Sequence, residues 1–372
     1  MKILISANAA WNLAHFRRGL IEALQEDGHD VVAVAPEGDD KALLTKFGVR
    51  HVPIEINPKG TAPFQDALLV RNLRRVFRAE NPDVIISYTI KNNIYGGFAA
   101  RSLGIPFLPN VSGLGTAFLS KSWLEKLVTQ LYRVAFRPLS QVIFQNPDDR
   151  ALFILRRIVR EKQATLVPGS GIDLSHFTSQ PLPASGNSGV TFLLIARLLL
   201  DKGVEEFIKA ARQVRATHPD TRVQLLGEIG VANRTAIHRE TVEKWVAEGV
   251  VEYLGVSTDV RPHIENADCV VLPSYREGTP RTLLEAAAMG RPLVATDVPG
   301  CREAVEDGHT GFLCKVKDPE DLARAMIRMI EIGPSGRASQ GTAGRSKMER
   351  EFDQSIVIAI YRDLIAEITK SI

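Results

Sequence analysis

Short apolar runs alternate along the chain with longer stretches of helical spacing. Residues 2–6 (KILIS), 31–35 (VVAVA), 51–56, 84–88 (VIISY), 106–110 and 141–145 read as strands bounded by turn-forming residues. Between them, 13–26, 41–47, 64–80, 95–103 and 123–136 read as helices, the first ended by Gly28 and the third by Asn81-Pro82. Strands this apolar are buried on both faces, as in a parallel sheet covered by helices on each side. The run at 1–10 is short, and 11–18 turns polar and basic at once. A buried first strand is therefore expected rather than a signal peptide.

The pattern pauses at 175–189 (SHFTSQPLPASGNSG), where Pro, Ser and Gly replace apolar periodicity and a linker is expected. It resumes with strands at 191–195 (TFLLI), 222–226, 251–254, 269–272 and 292–296. Helical stretches lie at 204–216, before Gly249, at 280–289 and at 318–332. No short-period repeat is visible, which argues against a solenoid. The expected organisation is α/β, with two Rossmann-like domains (1–174 and 190–350) whose parallel sheets face each other across a cleft. An amphipathic helix, about 352–372, ends the chain. Ligands of open parallel sheets bind beyond the carboxyl ends of the strands, so the residues just after each strand matter most.

Composition narrows the partners. The 372 residues are 45% apolar and 24% charged, ordinary for a globular chain, and the net charge of +3 excludes a polycationic nucleic-acid coat. Three cysteines without CxxC spacing give no disulfide framework and no zinc cluster, so no metal is expected and a reducing compartment fits. No run reaches the ~18 apolar residues that span a bilayer. The near-neutral total hides an asymmetry, because residues 1–173 hold 22 basic and 16 acidic side chains.

Two segments carry candidate chemistry. In 272–290 (LPSYREGTPRTLLEAAAMG), Thr279 is expected as an N-cap, Pro280 as the first helical residue and Gly290 as the terminator. Helix N-termini after strands bind anions, and Glu277 and Glu285 could both face a ligand there. By spacing alone, the pattern reads first as a capped helix with solvated glutamates. In 196–203 (ARLLLDKG), Arg197 and Lys202 could neutralise a diphosphate, or could be solvated charges at a helix entry.

Together the segments resemble the retaining GT-B glycosyltransferases of family 4, with their Arg-x4-Lys pair and E-x7-E motif. The likeness continues through 297–303 (DVPGCRE), 307–313 (DGHTGFL) and 167–173 (VPGSGID). In the first half, 88–97 (YTIKNNIYGG) and 110–119 (NVSGLGTAFL) resemble a bacterial subgroup acting on polyprenyl-diphosphate-linked saccharides. The resemblance implies a nucleotide-sugar donor, with UDP as the expected nucleotide, a hexose or N-acetylhexosamine as the sugar, and no cofactor. Arg197 and Lys202 would hold the diphosphate, and Glu277 would contact the sugar. Glu285 would bind ribose hydroxyls, while Gly278, Thr279 and Arg281 would approach the phosphates. A protein nucleophile is not implied: both glutamates lie on one loop and helix, whereas glycosidase carboxylates flank the scissile bond.

The first half departs from the wider family. Asn8-Ala9-Ala10 replaces a Gly-Gly turn, and no His stands in the loop after the fourth strand. His15, expected near the start of the first helix, and Lys91, Asn92, Gly113 and Gly115 are the acceptor-side candidates. Arg71, Arg74, Arg75 and Arg78 fall on one helix stripe. Lys121, Trp123, Lys126, Tyr132, Arg133 and Arg137 interleave with apolar positions, a pattern that suits either anionic lipid or a solvated covering helix. Peripheral contact with the cytoplasmic face of the inner membrane is the expectation that a lipid-linked acceptor favours. The alternatives are a sugar-nucleotide 2-epimerase on the same fold and a non-catalytic nucleotide-sugar-binding module. A dehydrogenase lacks its G-x-G-x-x-G.

Overall fold

A computed structural model describes residues 1–38, 41–56, 63–114, 123–183, 189–231 and 233–370. The chain divides into two compact units, Met1–Gly171 with Gln354–Ile372, and Ile172–Asp353.

The first unit holds seven parallel strands: β1 (Lys2–Ser6), β2 (Asp30–Ala35), β3 (Arg50–Pro53), β4 (Val84–Tyr88), β5 (Phe107–Val111), β6 (Val142–Phe144) and β7 (Ala164–Leu166). Their order is β3-β2-β1-β4-β5-β6-β7. The direction of winding therefore reverses between β1 and β4, where Leu4 lies opposite Ile85. Alternation along β1 sends Ile3 and Ile5 into one core layer and Leu4 into the other. The closing helix Gln354–Lys370 belongs to this unit, and its Val357, Tyr361, Leu364, Ile365 and Ile368 complete the layer over Ile3 and Ile5.

Two helices differ in form from the sequence expectation, and the helix Pro147–Leu155 and strand β7 were not expected at all. The helix expected over 13–26 is two helices, Ala10–Phe16 and Arg18–Glu26. Arg17, with φ −121° and ψ 5°, ends one and starts the other, and its guanidinium turns inward to lie 4.0 Å over the Tyr88 ring. His15 consequently sits in the last turn of its helix, not at the start. The helix expected over 95–103 opens with a wide π turn at Asn92–Gly96 before Gly97–Arg101.

The second unit repeats the topology with six parallel strands: β8 (Thr191–Ile195), β9 (Arg222–Leu226), β10 (Glu252–Tyr253), β11 (Cys269–Leu272), β12 (Leu293–Thr296) and β13 (Gly311–Cys314). The order is β10-β9-β8-β11-β12-β13, so winding reverses between β8 and β11. Within the expected linker 175–189, residues 184–188 lie outside the described residues. The part before them is bound to this unit: Phe177 is buried in its core, and Arg345 donates to the carbonyls of Phe177 and Ala288. Arg291, fully buried, donates to the carbonyls of Ile264, Glu265, Gln180 and Pro181 at 2.8–3.2 Å.

Arg291→Ala should therefore lower unfolding stability by about 3 kcal/mol or more, since four enclosed carbonyls lose charged donors. Urea denaturation followed through the fluorescence of Trp245, in the same unit, measures this. A midpoint equal to wild type would remove the assigned role.

Candidate active site

At the reversal between β8 and β11, the loops that follow the two strands are interlocked by their backbones. The β8 loop ends in a 3₁₀ turn at Leu200–Lys202 and then Gly203, at φ +70°. A Cβ on Gly203 would stand 2.0 Å from the Pro273 carbonyl oxygen, so only glycine lets the two loops touch. Ser274 Oγ and the Tyr275 N–H both donate to the Asp201 carbonyl, at 3.1 and 2.9 Å. The β12 loop closes in from the other side: the Glu277 N–H donates to the Pro299 carbonyl, and Gly300 has φ +87°. A Cβ there would meet the Gly278 oxygen at 2.6 Å.

This scaffold brings together side chains far apart in sequence. Lys202 Nζ pairs with Glu277 Oε1, and Ser274 Oγ donates to the same oxygen at 2.6 Å. Eight residues on, Glu285 Oε1 pairs with Arg281 Nε at 2.9 Å, both side chains being mostly enclosed. Each glutamate thus commits Oε1 to a cation, while its Oε2 has no hydrogen-bond partner among the described residues. Arg197 is exposed and makes no ion pair among the described residues. The cap differs by one residue from expectation. Pro280, with φ −74° and ψ 112°, is the N-cap of the helix Arg281–Ala288, because proline's fixed φ suits the turn and its ring leaves no N–H to place. Gly278 is buried and Thr279 half-buried, immediately before that cap, and Gly290 follows the helix at φ +76°.

Sequence reasoning missed Ser274, Thr296, Gly300 and Cys301. Thr296 Oγ1 donates to the Ser274 carbonyl. Cys301 is fully buried beside Lys202 and Glu277; burial pushes its thiol well up, and the Glu277 charge adds to that. Tyr275 donates to Glu206 Oε1 at 2.8 Å under the ammonium of Lys317, and burial next to Glu206 raises its hydroxyl pKa. Among the described residues no group of three or more His, Cys, Asp or Glu is arranged around a metal position.

The acceptor-side candidates Lys91, Asn92 and His15 each have their own partners. Lys91 pairs with Asp66 at 2.9 Å, and Asn92 is buried, accepting from Ser6 Oγ and donating to Thr89 Oγ1 across the β1/β4 reversal. His15 stacks on Trp11 with ring centroids 5.0 Å apart. Gly113 follows β5 at φ +136°, while Gly115 lies outside the described residues.

Two doubly wound parallel sheets, with paired charges at the reversal of the second, define a GT-B glycosyltransferase architecture. The model of the "Glycosyl transferase 4-like domain" matches residues 13–169 and that of "Glycosyl transferases group 1" matches 189–331. Together they span most of the sequence, and the chain belongs to the glycosyltransferases built from these two domains. It is 26% identical, over all of both chains, to the N,N'-diacetylbacillosaminyl-diphospho-undecaprenol alpha-1,3-N-acetylgalactosaminyltransferase of Campylobacter jejuni. It is 22% identical to the Escherichia coli UDP-Gal:alpha-D-GlcNAc-diphosphoundecaprenol alpha-1,3-galactosyltransferase, covering 83% of this chain and 82% of that one. Among solved structures, Anabaena HepE in complex with UDP and glucose superposes with a TM-score of 0.80 at 19% identity, covering 98% of this chain and 99% of that one.

Gly300→Ala should displace the Glu277–Gly278 backbone and reduce transferase turnover at least about tenfold, with the chain still folded. Steady-state rates beside a thermal melt provide the check, and wild-type turnover would contradict the close approach.

Proposed function

We propose that the chain moves a hexose or N-acetylhexosamine from a UDP-sugar to a polyprenyl-diphosphate-linked saccharide with retention of anomeric configuration. The observation that carries the reading is the pairing of Glu277 with Lys202 and of Glu285 with Arg281, each carboxylate keeping one oxygen for a ligand hydroxyl. Arg197 and Lys202 hold the donor diphosphate. They offset the charge that grows on the leaving oxygen as the sugar–phosphate bond breaks. Glu277 Oε2 takes a sugar hydroxyl, and Glu285 Oε2 takes ribose hydroxyls. Both carboxylates are committed to cations, so neither serves as nucleophile. The acceptor hydroxyl bonds to the anomeric carbon on the face that the phosphate leaves, and its proton passes to the departing phosphate oxygen. The reaction balances without a cofactor. Both relatives are named for diphospho-undecaprenol acceptors, which supports the acceptor class.

A lipid-linked acceptor calls for a membrane face, which we place on the first unit, at the cytoplasmic side of the inner membrane. No helix among the described residues is long and apolar enough to cross a bilayer. The helices Pro63–Glu80 and Trp123–Phe136 expose Phe64, Leu68, Trp123 and Leu127, with Trp123 70% accessible. Arg71, Arg74, Arg75 and Arg78 are all exposed beside them. The stripe expected on the second helix divides: Tyr132 is fully buried, Arg133 donates to the carbonyls of Arg156 and Arg157, and Lys121 lies outside the described residues. Trp123, Lys126, Leu127 and Arg137 are the exposed members that remain for lipid.

Lys202→Ala should leave a folded chain whose transfer falls by ~10²–10³, and Glu285→Ala should in addition weaken UDP-sugar binding. Thermal shift with a nucleotide-sugar panel reads binding, and the anomeric proton coupling of the product reads retention. Wild-type transfer in both variants, or an inverted product, would sink the mechanism. Vesicles containing phosphatidylglycerol should sediment the chain in low salt and release it in high salt; binding indifferent to anionic lipid would remove the membrane face.

A further inference from the structure

Among the described residues, Arg17 carries a charge with no counter-ion. The residue is 5% exposed, and its Nε is enclosed without a hydrogen-bond partner. No ion pair to it exists among the described residues, and its guanidinium lies over the face of Tyr88. The described hydroxyls and amides linked to Tyr88 are polar and neutral. Tyr88 donates to the Tyr361 hydroxyl at 3.0 Å, which also accepts from Asn110 Nδ2 at 2.7 Å. Gln145 Nε2 and Ser112 Oγ both donate to Asn110 Oδ1, at 3.1 and 3.0 Å. Ser87 Oγ, on β4 next to Tyr88, is buried without a partner. These groups stand at the carboxyl ends of β4, β5 and β6, beside the β1/β4 reversal where such sheets take ligands.

An enclosed guanidinium without a counter-ion is costly, and a fork of N–H donors fits a phosphate oxygen pair better than any neutral group. We infer that this edge of the first sheet is a receiving site for a phosphate-type anion, with Arg17 as its cation and Tyr361 of the closing helix holding Tyr88 and Asn110 in place around it. On the acceptor reading above, the anion is the diphosphate of the lipid-linked saccharide.

The test compares Arg17→Gln and Arg17→Lys in the full chain. The acceptors are a short-chain polyprenyl-diphosphate-linked saccharide and the same saccharide without phosphate. Arg17→Gln should raise KM for the phosphorylated acceptor about ten- to hundredfold, with donor KM and use of the phosphate-free saccharide unmoved, and Arg17→Lys should recover part of the loss. Equal losses with both saccharides would reduce Arg17 to a packing role and overturn the site. A raised donor KM alone would give the anion to the nucleotide sugar, and weakened binding to phosphatidylglycerol vesicles alone would give it to lipid headgroups; either overturns the acceptor assignment. Inorganic pyrophosphate separates this site from the acceptor reading itself. In the chain carrying Arg197→Ala and Lys202→Ala it should raise the melting temperature, and the added Arg17→Gln change should abolish that rise, whether or not the lipid-linked acceptor is a substrate. Stabilisation that survives the triple substitution would overturn the anion site.

Discussion

The close approach of three loop backbones at the carboxyl edge of the second sheet is the constraint on which its chemistry rests. Gly203 lies against the Pro273 carbonyl and Gly300 against Glu277 and Gly278, in conformations and at distances that exclude a side chain. Only with these loops in contact does Lys202 reach a carboxylate 75 positions away, and only then does Ser274 meet the same oxygen. The hydrogen bonds from Ser274 and Tyr275 to the Asp201 carbonyl fasten the arrangement, so its cation and acids are set before any ligand arrives. Preorganised charge of this kind is what makes electrostatic stabilisation effective, since no reorganisation remains to be done at the moment of reaction.

Most strands were legible because a parallel sheet buried on both faces leaves an apolar run that little else produces, but the short edge strands β7 and β13 were not expected. In the second unit Val204–Thr217, Arg239–Ala247, Arg281–Ala288 and Pro319–Glu331 were legible through their periodicity, whereas Gly333–Lys347, rich in Gly and Ser and poor in apolar residues, was not expected. Where the reading slipped, a tertiary contact overrode local pattern. Arg17 interrupts an unbroken amphipathic stripe because its side chain is drawn beneath Tyr88, and no local propensity encodes that. The cap moved from Thr279 to Pro280 because proline's fixed φ served the entry turn without a side-chain bond. The Arg-x4-Lys and E-x7-E spacings pointed to the site only as part of a family pattern. By themselves they could not say that Lys202 and Glu277 are partners, and still less that Tyr361 lies among the strand ends of the first unit.

The two units share one strand order and use it differently. In the second, Lys202 pairs with Glu277 and Arg281 with Glu285 at the reversal, while Arg197 is exposed and in no ion pair among the described residues. In the first, the reversal is lined by Ser6, Asn92 and Asn93, with Tyr88 and Asn110 close by, and all of these are buried and uncharged. A fold can therefore repeat its wound sheet and still present two distinct surfaces, because the loops and side chains after the strands, rather than the strands, carry the chemistry.

Two nearly or fully buried arginines show how structure and site can be told apart on physical grounds. Arg291 meets four backbone carbonyls, so its charge is spent on fastening the chain, and its burial is explained by those bonds alone. Arg17 meets none: its guanidinium lies over an aromatic ring among neutral amides and hydroxyls, with Nε closed off and unpaired. A cation–π contact supplies about 0.5–2 kcal/mol, less than the several kcal/mol that enclosing an ion costs. Packing therefore accounts for Arg291 and leaves Arg17 with an unmet demand that an anion satisfies. The same deficit, at the edge where a doubly wound sheet receives its ligands, makes Arg17 part of a site rather than part of the core.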